Sequence, residues 1–168
     1  ERVRSILLQK SSGVHISAYA ELCLFLASRA QHIAEVIGPA LKQNKIVLCD
    51  RFNDSSVAYQ GAARGLGMQE VANFCQFISQ GVEPHLTFYL DIDPEIGLQR
   101  AMRHRQSQDR IESETILFHQ RIREAYHLIH KQHPKRLRML DAAQTPNAVL
   151  RQAMDWIEPL LQKHRPLV

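Results

Sequence analysis

The sequence holds no CxxC pair, no HExxH segment and no GxSxG turn. The first two absences remove familiar spacings of zinc and dithiol chemistry, and the third removes the strand-to-helix elbow of a serine hydrolase. Nine histidines are present without a ligand-like cluster, and His127 and His130, three apart, are expected on an exposed helix face. No structural metal site is therefore predicted. The three cysteines, Cys23, Cys49 and Cys75, leave one over in any disulfide scheme and lie in apolar runs, so they are expected as buried thiols of a reducing cytoplasm. No apolar run approaches the roughly 20 residues of a membrane span, and Glu1-Arg2-Val3-Arg4 carries no signal-peptide core, so no membrane partner is expected. Helix-turn-helix, zinc-finger and RNA-binding signatures are missing too, as are repeats, low-complexity tracts and linkers.

What is present suits one globular domain over residues 1–168, with 45% hydrophobic and 23% charged residues. A net charge of +4 and a pI near 9.2 favour an anionic partner without choosing among a nucleotide, a nucleic acid and an acidic membrane surface.

From Ser17 to about Gln43, Leu22, Phe25, Leu26, Ile33, Val36, Ile37 and Leu41 recur at helical spacing, with Ser17 as N-cap and a kink expected at Gly38-Pro39. Ile46-Val47-Leu48-Cys49 is a continuous apolar run that stops at Asp50-Arg51. The runs 86–90 and 137–140 follow the same plan, ending at Asp91 and Asp141. Such runs predict strands buried on both faces. Helical stretches lie between them, at 68–80, 94–105 (capped by Asp93 before Pro94) and 111–132, and a last helix starts at Thr145-Pro146. Strands alternating with helices predict an α/β fold, a parallel sheet flanked by helices on both faces. In such a sheet the ligand site lies beyond the carboxyl ends of the strands.

Four groups near those ends carry candidate chemistry. Asp50-Arg51 offers a fork for a phosphate and a carboxylate for a magnesium-bound water, or else a surface ion pair. Phe25 and Arg29, four apart on one helix face, place a guanidinium in an apolar stripe where it needs an acceptor. A flat base on the ring supplies one, and so does a salt bridge to Asp54 or Glu21; spacing does not choose. Ser55, Ser56, Tyr59 and Gln60, with Gly61, Gly65 and Gly67 close by, line a nucleoside pocket or form an ordinary capped helix and turn. Arg100, Arg103, Arg105 and Arg110 are either arginines of a flap closing on phosphates or a solvated helix end.

The run 22–31, Cys49-Asp50-Arg51-Phe52, Ser56 with Tyr59-Gln60-Gly61, Leu90-Asp91 with Pro94-Glu95, Asp109-Arg110-Ile111-Glu112 and 141–146 together resemble bacterial thymidylate kinase. The resemblance implies a P-loop nucleoside monophosphate kinase fold that transfers the γ-phosphoryl group of ATP to dTMP, with Mg²⁺, in a cytoplasmic homodimer. It implies that Phe25 stacks on thymine, Arg29 bonds a thymine carbonyl, and Arg51 holds the dTMP phosphate beside Asp50. Ser56 matches a position at the base edge, and Tyr59 and Gln60 match positions near the sugar. Arg103, Arg105 and Arg110, in a lid at about 100–112, would serve the transition state, and Gln144, Thr145 and Pro146 match the adenine side. Another nucleoside monophosphate or deoxynucleoside kinase, or a non-catalytic nucleotide-binding fragment, is the alternative.

One departure is large. The family's GxxxxGK[ST] loop and its flanking strands do not occur here. The chain opens without methionine inside a helical pattern, which leads to the expectation of a preceding segment of about 30 residues for strand, loop and helix. Without that loop the chain is expected to be inactive, and the runs 46–49 and 86–90 are expected to face a gap.

Overall fold

The computed structural model describes residues 3, 6, 7, 16–104, 110, 111 and 113–163. Helix α1 (Ala18–His32) opens at Ser17, whose hydroxyl accepts from the Ala20 amide at 3.3 Å. It continues through a π-helical turn (Ile33–Ile37) into α2 (Gly38–Lys42). Pro39 has no N–H to give, and a Cβ on Gly38 would lie 3.0 Å from the Ile33 carbonyl, so the widened turn absorbs the expected kink. Helix α3 (Asn53–Ser56) likewise runs into a π-helical stretch (Val57–Ala63), and α4 (Met68–Ser79) follows after a tight turn.

Strand β1 (Thr87–Asp91) pairs in parallel with β2 (Leu137–Asp141), Thr87 opposite Leu137 and Asp91 opposite Asp141. Between them come α5 (Pro94–His104), started by the Asp93 carboxylate accepting from the Glu95 amide, and α6 (Ile116–Gln132). Helix α7 (Pro146–Lys163) closes the described chain. Sequence and structure differ at the start of α6: Thr115, not residue 111, is its N-cap, accepting from Phe118 N at 3.3 Å.

The core joins Leu22 and Leu26 of α1, Val71 and Cys75 of α4, Phe118, Ile122, Ala125 and Ile129 of α6, and Leu137 of β2. These positions recur every three or four residues, the stripe by which a helix buries one face.

One expected strand is corrected. Residues 46–49 are not a strand: Ile46 is 73% and Leu48 92% exposed. β-Branched and apolar residues favour a strand, but a strand also needs a neighbour for its backbone N–H and C=O groups. Among the described residues the sheet is β1 with β2 alone, and a cleft of ≈ 1550 Å³ separates Ile46–Cys49 from β1.

The cysteines and histidines also differ from expectation. Cys75 is buried, but Cys23 and Cys49 are exposed, the one on the outer face of α1 and the other at the cleft. His127 and His130 are half-buried: His127 Nε2 stands 3.4 Å from Asp91, and His130 Nδ1 stands 2.8 Å from the Leu137 carbonyl.

Candidate active site

Helix α1 presents Glu21, Phe25 and Arg29 at four-residue intervals, one stripe facing the α3 and π-helical segment. Two contacts join these elements as rungs. Gln60 Nε2 donates to Glu21 Oε1 at 2.8 Å, and Arg29 NH2 donates to Ser56 Oγ at 3.0 Å. Phe25 lies between the rungs, half-buried.

Arg29 also donates to the Phe52 carbonyl at 3.0 Å, contacts Cys75 Sγ at 3.7 Å, and sits 5.4 Å from the Phe52 ring centre. Among the described residues it has no carboxylate partner within salt-bridge distance. Asp54 is held in a fork by Arg136 at 2.6 and 2.8 Å, and Glu21 is held by Gln60, Arg64 and Arg110. Burial lowers the Arg29 pKa, while the neighbouring Cys75, Cys49 and Asp54 act in the opposite direction. A guanidinium remains a cation throughout. This is a positive charge resting on neutral acceptors, and it retains its attraction for a carbonyl or an anion.

The rungs depend on how tightly the π-helical segment meets α4. A Cβ on Gly61 would lie 3.0 Å from Met68 Cα and 3.1 Å from the Gly67 carbonyl, so no larger residue fits without moving backbone. Gly67 turns the chain there with φ of 89°.

Arg51 has φ of 61°, a left-handed conformation that is strained for a side chain of its size. The twist sets its guanidinium 4.8 Å from the Tyr59 ring centre. Around it stand Tyr89 and Tyr126, stacked with centroids 4.1 Å apart, and the Tyr126 hydroxyl lies 2.8 Å from Ser55 Oγ. Burial pushes the Tyr126 phenol up to about 12, so it acts as a neutral hydrogen-bonding group. Asp50, Arg51, Ser55, Tyr59, Tyr89 and Tyr126 all line the cleft.

At the carboxyl end of β1, Arg123 grips Asp91 at 2.7 and 3.1 Å and holds its carboxyl below the usual carboxylate range. At the end of β2, Arg100 donates to the carbonyls of Ala142 and Ala143 at 2.6 and 2.9 Å. Gln144 donates to Asp141 at 2.9 Å, Thr145 accepts from Ala148 N at 3.4 Å, and Pro146 opens α7.

The structure brings together Phe25, Arg29, Ser56 and Gln60, and separately Asp50, Arg51 and Tyr59. Gln144, Thr145 and Pro146 form a third group. Arg110 departs from the picture of a flap arginine: it bonds Glu21 and donates from Nε to the Leu7 carbonyl at 2.8 Å, fixed by the fold on a carboxylate that is 1% exposed. Arg105 and the side chain of Arg103 lie outside the described residues. Sequence reasoning missed Glu21 as a centre of its own, and it missed Tyr126. The signal for Glu21 was there, an acid in the apolar stripe four residues before Phe25.

A parallel α/β layer beside a cleft that gathers arginines and phenols belongs to the nucleotide-binding α/β class. The family model described as thymidylate kinase matches residues 1–153. A thymidylate kinase of Protochlamydia amoebophila is 48% identical over 164 residues, 94% of this chain and 73% of the relative. One of Latilactobacillus sakei is 44% identical over 158 residues, again 94% of this chain and 73% of the relative. The crystal structure of thymidylate kinase from Ehrlichia chaffeensis superposes with a TM-score of 0.66 at 28% identity, covering 92% of this chain and 71% of that one. The chain belongs to the thymidylate kinase family, and it is a phosphotransferase of the P-loop nucleoside monophosphate kinase fold that phosphorylates dTMP.

Proposed function

We propose that this protein, in phosphorylating dTMP, holds the nucleotide with its base over Phe25 and its phosphate at Arg51 while the γ-phosphoryl group of ATP is transferred. The observation that carries this reading is Arg29: a cation half-buried in an apolar stripe, held by Ser56, Phe52 and Cys75 rather than by a carboxylate. A guanidinium has five N–H donors, and a thymine carbonyl is an acceptor for one that Ser56, Phe52 and Cys75 do not use. Ser56 and Gln60 bond Arg29 and Glu21, the residues four positions to either side of Phe25, and Tyr59 lies with its ring centre 4.8 Å from the Arg51 guanidinium, the side proposed for the sugar.

Phosphoryl transfer needs positioning and positive charge more than covalent chemistry. Arg51 supplies charge at the acceptor phosphate, its backbone strain fixing the direction of the fork. Arg103 and Arg105 remain the proposed arginines for the transferring group, while Arg110 acts through Glu21 on the fold of the site. Thr145 caps α7, which Pro146 opens, Gln144 bonds Asp141, and the adenine is proposed to rest on this turn. Among the described residues no three His, Cys, Asp or Glu side chains form a metal cluster. Magnesium is commonly held by one or two carboxylates together with phosphate oxygens and waters. Asp50, exposed at the cleft, is the carboxylate that would steady it, and the ion would neutralise charge on the phosphates.

No helix among the described residues is long and apolar enough to cross a membrane. A cytoplasmic homodimer is the proposed setting, supported by Tyr19 on α1 and Phe74 and Phe77 on the adjacent α4, which are 69%, 58% and 79% exposed. A sedimentation experiment showing monomers at micromolar concentration would remove the dimer. The partner proposed is a mononucleotide rather than a nucleic acid, so binding should depend only shallowly on salt.

Calorimetry tests the central reading. Arg29→Ala should weaken dTMP binding by roughly 1 to 3 kcal/mol and leave ATP binding nearly unchanged. Unaltered dTMP affinity in a folded variant would return Arg29 to a purely structural role.

A further inference from the structure

The two rungs that join α1 to the facing segment differ in polarity. Across eight residues of helix, about 12 Å, the stripe runs from a carboxylate at Glu21 to a guanidinium at Arg29, with Phe25 between. Opposite them stand Gln60 and Ser56. We propose that Glu21 is a positioning residue that sets the base preference of the site by fixing which end of the Gln60 carboxamide is offered to the ligand. The inference rests on the reading of Phe25 as the base site.

A carboxylate has acceptors only, so the end of Gln60 that it holds is the NH₂ end. In this proposal the carbonyl end, on a side chain that is 2% exposed, is the end that meets the occupant, while Arg29 offers donors from the other rung. A pyrimidine edge with a ring N–H beside a carbonyl matches an acceptor paired with a donor. Cytosine, with a bare ring nitrogen beside an amino group, sets acceptor against acceptor and donor against donor. A site built to bond one pattern in this way rejects the other strongly, because buried polar groups are left unpaired.

The tether works only while Glu21 is ionised, because a protonated acid could donate and let the amide turn over. Glu21 is 1% exposed, and burial by itself would favour the neutral acid. Three donors oppose this. Oε1 accepts from Gln60 and from Arg64 Nε at 3.3 Å, while Oε2 accepts from Arg64 NH2 at 3.2 Å and from Arg110. Burial raises the carboxyl pKa, but the bonds from Gln60, Arg110 and Arg64 outweigh it and leave the group below its ordinary 4.5. Arg64 is itself fixed, paired with Glu114 at 2.7 Å and lying 4.5 Å from the Phe118 ring centre. The two arginines thus keep Glu21 an acceptor, and Glu21 keeps Gln60 in one orientation.

The test is titration calorimetry of dTMP and of dCMP against the unaltered protein and four variants. In Glu21→Gln the preference for dTMP over dCMP should fall about tenfold, because an amide at that position can hold Gln60 either way round. Glu21→Asp keeps an acceptor-only group and should retain the preference even where overall affinity drops. Loss of stability alone would move both ligands together and leave the ratio where it was. A folded Glu21→Gln protein with an unchanged ratio overturns the proposal. Should that variant not fold, Gln60→Leu, which leaves both arginines on Glu21, decides equally: an unchanged ratio there overturns it. Phe25→Ala separates the two levels of the argument. If that change leaves dTMP affinity intact, the base site itself is wrong; if it abolishes binding while Glu21→Gln keeps the ratio, only the role of Glu21 is lost.

Discussion

The seam between α1 and the π-helical segment and the cleft beside β1 are built in opposite ways. In the seam, charged groups lie inside the protein and are paired: Glu21 with Gln60, Arg64 and Arg110, and Arg29 with Ser56 and Phe52. At the cleft, apolar residues of the stretch 46–49 lie exposed, and the nearest strand edge stands across a gap of ≈ 1550 Å³. Burial therefore follows partners and not polarity. A carboxylate can be interior when three donors meet it, and a leucine stays outside when no neighbouring backbone holds its segment down.

The contrast is strongest for leucines. Leu137, at the first position of β2, is 0% exposed and sits in the core, whereas Leu48 is 92% exposed. Leu137→Ala should cost about 2 to 5 kcal/mol, as removal of a fully buried leucine does when the surroundings cannot collapse into the space. Urea denaturation would measure it. A cost below about 1 kcal/mol would mean that the packing around β2 is looser than its burial implies.

Acid gives a second, smaller lever on the seam. Glu21 has its folded pKa depressed below 4.5, so the stability it adds is present above 4.5 and is lost as pH falls through the folded value. The melting temperature of the unaltered protein should exceed that of Glu21→Gln at neutral pH, and the difference should narrow as pH drops below 4.5. A difference that stays constant down to pH 3 would show that the arginines on Glu21 do not depend on its charge.

Much of this architecture was legible in the sequence because it is local. The runs ending at Asp91 and Asp141 became β1 and β2, and Ser17 and Thr145 cap helices where expected. Phe25 and Arg29 share a face because four residues make about one helical turn. What stayed hidden depends on pairing over distance. The run at 46–49 has a strand's composition, but composition does not supply a neighbouring strand. Arg110 lies in a basic run that suits a flap, yet its partner is 89 residues away on α1. Both carboxylates considered for Arg29, Asp54 and Glu21, are taken by other donors, and no spacing rule reveals which cation an acid will prefer. The exposure of Cys23 and Cys49 has the same origin, since an apolar run predicts burial only where another layer covers it.

The smallest expected effect bears on the cleft itself. If Ile46–Cys49 gains nothing from its apolar side chains in this fold, then Leu48→Ala removes a side chain that is already in water. The folded and unfolded states then lose the same hydration, and the change in stability should stay within about 0.5 kcal/mol. The same denaturation curves that score Leu137→Ala would show it, with an unchanged m-value. A loss above about 1.5 kcal/mol would mean that Leu48 is covered in solution, by a second copy or by a closing of the cleft. Repeating the measurement over a hundredfold range of protein concentration separates these two. A second copy makes the loss depend on concentration, because association stabilises by mass action, whereas a closing cleft leaves it constant.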